Sequence, residues 1–207
     1  MPRKTAELRH TVPDDVSTEL MDMLIAVHHP TRRWLAEVLW VEGPATVGRL
    51  AARTGLAVGS VSYHLKPLHE QGFIAPAPEL ARDTRESWWK VTPRSYSWAV
   101  DDFEPGSVGH QVATQAEIEN FRHHVRAIQQ WFKEMADTTV AWRRAAGASD
   151  SLVSATVDQT ADLHRRLDAV VAAWTRECQE DEREHPDTER RAVRTILRIF
   201  PSKPVRP

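Results

Sequence analysis

The chain has 207 residues, 41% of them aliphatic or aromatic (with Cys and Met) and 27% charged, with a formal net charge of −2. That is long enough for two compact units and carries no run of about 18 apolar residues, so a membrane span is not expected and the partners do not include a bilayer. A net charge of this size and sign gives no warrant by itself for nucleic-acid binding. The single cysteine, Cys178, excludes an intrachain disulfide and points to a reducing, cytoplasmic compartment.

Residues 1–15 show no periodicity and read as a flexible arm; their basic residues have no apolar segment behind them, so no export signal is expected. From Val16 to Val27, Leu20, Met23, Leu24 and Val27 recur at helical spacing. After His28-His29, Pro30 fits the first turn of a second helix, where its missing N–H is needed by no partner. The inward face of that helix is expected to hold Trp34, Leu35, Val38 and Leu39, and Gly43-Pro44 ends it. Thr46 is an N-cap candidate for a short third helix, Val47 to Arg53, and Thr54-Gly55-Leu56 forms the turn that follows.

The stretch Leu56 to Ile74 then supplies a second helix after that turn, completing a helix-turn-helix pattern. Val61, Leu65 and Leu68 form its apolar stripe, while Gly59, Ser62, Tyr63 and Lys66 lie opposite. Small and hydroxyl side chains allow close approach to a major groove, Tyr63 can stack or donate, and Lys66 can neutralise a phosphate. Ala57 stands where a capping Ser or Thr would serve better, and Pro67 removes one backbone donor inside the helix. Gly72 is the expected C-cap. Phe73 to Ala75 and Ser87 to Val91 read as two strands around a charged loop, with Pro76 and Pro78 confining the first to an edge. A hairpin placed beside a helix-turn-helix is a wing, and Arg82 and Arg85 lie at its tip. Residues 30–94 carry nine Lys or Arg against six Asp or Glu, a balance of +3 against −5 for the rest.

Several spaced motifs together carry a resemblance: His29-Pro30-Thr31-Arg32, Gly43-Pro44-Ala45-Thr46-Val47, Leu50-Ala51, Gly59-Ser60-Val61-Ser62-Tyr63-His64-Leu65, Leu68, Gly72-Phe73-Ile74 and Arg82 to Lys90. Over about residues 20–92 the chain resembles the ArsR-like winged-helix transcriptional regulators, in the actinobacterial-type branch with a long helical C-terminal region. The resemblance implies a DNA-binding regulator, most often a repressor. Its DNA contacts would come from Thr46, Gly59, Ser60, Ser62, Tyr63, Lys66, Arg82 and Arg85. The metal-sensing ligands of such regulators are not matched: there is no Cys-x-Cys, and Asp162-x-His164 lacks a second His at the sensory spacing. No metal site and no cofactor are therefore expected. The pairs His28-His29 and His123-His124 do not change this, since adjacent helical residues point about 100° apart.

Residues 96–111, with Pro105, Gly106 and Gly109, read as a linker. Beyond it, Ile118, Phe121, Val125, Ile128, Phe132, Met135 and Trp142 make a heptad seam on one helix from about Val112 to Arg144. Leu152 to Ala155 is a candidate strand. Thr156 and Gln159 match a capping box opening another helix, striped by Leu163, Leu167, Val170, Trp174 and a buried, inert Cys178. Residues 193–200 fit helix or strand, the resemblance favouring strand, and residues 201–207 are a tail. Stripes of this kind need a partner, so residues 112–200 are expected to dimerise; Trp131, Trp142 and Trp174 are candidates for lining a small-molecule effector pocket, although core or dimer packing explains them as well.

No phosphate loop, nucleophile elbow or His-Glu-x-x-His pair occurs, and Glu119 with His123 is an ordinary i, i+4 surface pair, so an enzyme is not expected. The sequence thus describes a mainly α protein with a small β-hairpin wing. A winged helix-turn-helix domain at 16–95 precedes a helical domain at 112–200, the whole binding double-stranded DNA as a homodimer. The alternative is a winged helix used for protein–protein contact without sequence-specific DNA binding.

Overall fold

The computed structural model describes residues 14–83, 86–92 and 96–204, with backbone alone for 14–17. The arm to residue 13, Thr84, Arg85, residues 93–95 and the last three positions of the tail lie outside the described residues. Two compact units are present, 1–133 and 134–207.

In the first unit, helix α1 (Asp14–Val27) leads into α2 (Pro30–Glu42), which begins at Pro30 and ends at Gly43 with φ +87°. Strand β1 (Ala45–Thr46) precedes α3 (Val47–Thr54); the Thr46 hydroxyl accepts from the Arg49 N–H at 3.2 Å, so the expected cap is in place. Gly55 closes α3 in the left-handed region at φ +72°, a conformation that a β-carbon disfavours. Helix α4 (Val58–Glu70) follows and runs continuously through Pro67. Its end is satisfied by paired backbone bonds, Gly72 N–H to His69 C=O at 2.9 Å and Phe73 N–H to Leu68 C=O at 2.8 Å, with Gly72 at φ +70°. Those bonds reverse the chain into β2 (Ile74–Pro76), which pairs antiparallel with β3 (Trp88–Val91) in the register Ile74↔Val91, Ala75↔Lys90, Pro76↔Trp89.

The sheet and helix α2 depart from the sequence reading. The sheet has three strands in the order β1-β3-β2, because Ala45 and Thr46 pair with Trp89 and Trp88; two residues are too few to show a strand period. Trp34 is 42% exposed, and Arg32 takes the place expected for it, buried on the same face as Leu35 and Leu39. Arg32 Nη1 donates to the Ile25 carbonyl at 2.9 Å, so this guanidinium serves the open C-terminal end of α1.

The core joins Leu24 of α1, Leu35 and Leu39 of α2, Leu50 of α3, Val61, Leu65 and Leu68 of α4, and Ile74 of β2. Helix α5 (Val108–Glu134) closes it with Ala113 and Ala116. The stretch before α5 packs as well: Trp98 and Val100 touch the core, and Phe103 is buried against Gly109. Polar ties bind α5 to α2, with Arg33 Nη1 on Asn120 Oδ1 at 3.0 Å and His123 Nε2 on Glu37 Oε1 at 2.9 Å. Glu119 does not pair with His123 as the spacing suggested; it accepts from Arg122 at 2.5 Å, and His123 turns to α2 instead.

The second unit starts with a 3-10 turn (Met135–Asp137), then α6 (Val140–Ala145) and α7 (Val157–Glu184). The single helix expected to reach Arg144 is therefore broken at 135–139, where Thr139 caps the new start. Thr156 and Gln159 form the predicted capping box, with both reciprocal bonds present. The far end of α7 is held by Arg190, whose guanidinium donates to the Asp181, His185 and Thr188 carbonyls and pairs with the Asp181 carboxylate. Leu152 to Ala155 is not a strand, and residues 193–200 are neither helix nor strand. Cys178 is exposed rather than buried, as are Leu163, Val170 and Trp174 of its stripe. Among the described residues no helix is long and apolar enough to cross a membrane, and no group of three or more His, Cys, Asp or Glu is placed to hold a metal ion.

Candidate nucleic-acid interface

Helix α4 divides cleanly. Val61, Leu65 and Leu68 are fully buried, and that burial fixes which side turns outward. On the outward side Gly59 is open, with space where a β-carbon would stand, and Tyr63 is 67% exposed beside His64, their rings 5.2 Å apart. Ser62 donates its hydroxyl to the Val58 carbonyl at 3.2 Å, which leaves its lone pairs outward as acceptors. Ser60 is half-buried. Lys66 is exposed and loosely paired with Glu70 at 3.8 Å. His64 is turned to the helix-turn-helix core, its ring 4.9 Å from that of His29, and its Nδ1 is buried without a partner. Burial and the neighbouring Arg32 charge hold the His64 pKa below the ordinary histidine value.

Helix α3 and the wing flank this helix. Thr46 caps α3 with its hydroxyl oxygen, which accepts the Arg49 N–H and leaves the O–H free to donate. On the wing, Arg82 has an exposed side chain, its backbone N–H held by Glu86 at 3.0 Å; Arg85 lies outside the described residues. Glu86 also accepts from the Trp88 indole N–H at 3.0 Å. These two hydrogen bonds, the Arg82 one first, hold its carboxyl below the usual carboxylate range.

The positive balance of residues 30–94 does not translate whole into surface charge. Arg32 is buried and Arg33 is turned to α5, positions that no sequence period reveals because their partners lie on other helices. Lys90 pairs with Glu79 at 2.6 Å and Arg53 with Glu42 at 2.6 Å, both exposed. Arg49 lies with its guanidinium 5.1 Å from the Trp88 ring centre. Arg49 is a functional candidate beyond those expected from the sequence, and its place three residues after the Thr46 cap is the local signal for it. Of the three tryptophans proposed to line a pocket, Trp131 belongs to the first unit and Trp142 and Trp174 to the second; Arg191 stands over Trp142 at 5.9 Å.

Residues 27–77 match a family profile described as "Helix-turn-helix domain". No curated protein matches the chain. Among solved structures, NolR from Sinorhizobium fredii is similar at 22% identity, covering 45% of this chain and 83% of its own, with a TM-score of 0.33. A homodimeric winged helix-turn-helix DNA-binding domain from Mycobacterium bovis, a possible ArsR-family transcriptional regulator, is similar at 14% identity over 63% of this chain and 92% of its own, TM-score 0.34. HlyU from Vibrio cholerae is similar at 17% identity over 51% and 88%, TM-score 0.31. With the profile match lying across α2, α3 and α4, and the β2–β3 hairpin following directly, the chain carries a helix-turn-helix domain with a β-hairpin wing.

Proposed function

We propose that the chain is a DNA-binding transcriptional regulator, a repressor that acts as a homodimer on a palindromic operator. The observation that carries this is the exposed face of α4, where Gly59, Ser62, Tyr63 and Lys66 stand outward with no apolar residue needed by the core among them. A helix so placed can enter a major groove, with Ser62 and Tyr63 at base edges and Lys66, Thr46 and the wing cations Arg82 and Arg85 at the backbone.

Dimerisation is proposed from α5. At 100° per residue its core side holds Ala113, Ala116, Asn120 and His123, while Ile118, Phe121, Val125, Ile128 and Phe132 centre roughly 140° away. Phe121 and Ile128 on that second side are 54% and 46% exposed. An apolar stripe of this length is a typical interface feature, and a two-fold axis through it would place two α4 helices for the two halves of a palindrome.

One observation favours a winged helix that binds protein instead: Lys66, Lys90 and Arg53 each already face a carboxylate of the same unit. Exposed pairs of this type are worth only about 0–1 kcal/mol, so a phosphate displaces them at small cost and the DNA reading stands. The test is selection of bound duplexes from a random pool. Recovery of an inverted repeat supports the proposal, and recovery of no sequence preference at all overturns it.

A further inference from the structure

Helix α3 and the wing are joined by a continuous chain of side-chain contacts. Thr46 and Trp88 face each other across the β1–β3 pair. Thr46 caps α3 through the Arg49 N–H at 3.2 Å, and the Arg49 guanidinium returns to lie over the Trp88 ring at 5.1 Å. The Trp88 indole N–H is in turn fixed by Glu86 at 3.0 Å, and the same Glu86 oxygen accepts the Arg82 N–H at 3.0 Å. Arg49 is thus held at its backbone by one strand and at its head by the next, and the wing loop is tied to the ring that carries it. Trp88 offers the guanidinium a π face that leaves its N–H donors available, unlike the carboxylates that Arg53 and Lys90 face. Glu86 Oε2 thus joins the backbone of Arg82 to the Trp88 ring over which Arg49 lies.

We propose that Arg49 is a DNA-phosphate contact, presented beside Arg82 by the frame of Thr46, Trp88 and Glu86, so that α3 and the wing grip the backbone together. Trp88 is then a positioning residue, acting through Arg49. The inference rests on the DNA-binding reading above and adds to it a contact on the first helix of the motif, where the sequence had singled out only Thr46.

The experiment is fluorescence anisotropy of the full chain on a random-sequence duplex across a salt series, for wild type, Arg49→Ala, Arg49→Lys, Trp88→Phe and Trp88→Leu, with thermal melts as a folding control. Loss of one phosphate contact should weaken binding by about fivefold to tenfold near ~0.1 M salt and flatten the slope of log affinity against log salt by about one in Arg49→Ala. Arg49→Lys and Trp88→Phe, which keep the charge and an aromatic face, should hold the wild-type slope, while Trp88→Leu should weaken binding with its slope kept. An unchanged slope in a folded Arg49→Ala, with wild type binding in a salt-dependent way, overturns this inference alone. No salt-dependent binding by wild type overturns the DNA-binding reading and this inference with it.

Discussion

Lowering the pH should destabilise the first unit through His28. That side chain is 6% exposed, with neither ring nitrogen partnered, and it meets the Tyr96 and Trp98 rings edge-on at 6.1 and 5.4 Å. Burial first, and then the Arg33 charge, lower its pKa to about 4. An unfolded chain titrates histidine near 6.5, so between about pH 6.5 and 4 the unfolded state binds more protons than the folded one, and stability falls as pH falls through that window. At 1.36 kcal/mol per pH unit this single group removes about 2 kcal/mol by pH 5 and about 3 kcal/mol by pH 4, with little further loss below. Such a loss is a large share of the roughly 5–15 kcal/mol that holds an ordinary domain. Carboxylates contribute their own acid sensitivity, so the comparison is with His28→Leu, which keeps an apolar filler and removes both unpartnered nitrogens. Urea unfolding followed by far-ultraviolet circular dichroism at several pH values should show wild type losing about 3 kcal/mol more than the variant between pH 7 and 4. At neutral pH the variant should be no less stable than wild type, since an unsatisfied buried polar group has been replaced by an apolar one. Parallel pH profiles for the two chains would show that His28 is not the source of the acid sensitivity.

On the DNA side, Tyr63→Ala or Ser62→Ala should change which sequences are preferred, at about 1–3 kcal/mol for each lost base contact, read by anisotropy on selected and scrambled duplexes. Arg82→Ala should instead weaken all duplexes alike and lower the salt slope by about one; an unchanged slope would leave Arg82 a solvent-facing cation. Phe121→Asp with Ile128→Asp, both on exposed positions of α5, should yield a folded monomer by sedimentation, and a folded dimer would move the interface elsewhere. Gly109→Ala should cost about 1–3 kcal/mol in a thermal or urea melt, because its β-carbon would run into the Phe103 ring.

Much of the helix-turn-helix was legible because its signals are local. Pro30 starts a helix, Thr46 caps one, and Gly55 and Gly72 release the chain through left-handed conformations, each within a few residues of its effect. The buried stripe of α4 follows from a period of 3.6, and with it the outward set Gly59, Ser62, Tyr63 and Lys66. What escaped depends on partners distant in sequence. Strand β1 exists because Trp88 and Trp89 come to meet it, and Arg32 is buried because the end of α1 offers a carbonyl. The same holds for surface charge: the partners of Arg53 and Lys90 lie 11 residues away, beyond any helical spacing, so a count of cations overstated the positive face. Helix α5 misled for a different reason, since a heptad seam continues through the 3-10 turn at Met135 while the backbone does not.

Regulation at an operator requires that the outward face of α4 read sequence. Duplexes selected from a random pool by the wild-type chain should share an inverted repeat with half-sites about one helical turn apart, and the pool selected by Tyr63→Ala should differ at defined positions within each half-site. A wild-type pool with no common sequence, or one that Tyr63→Ala leaves unaltered, would contradict it.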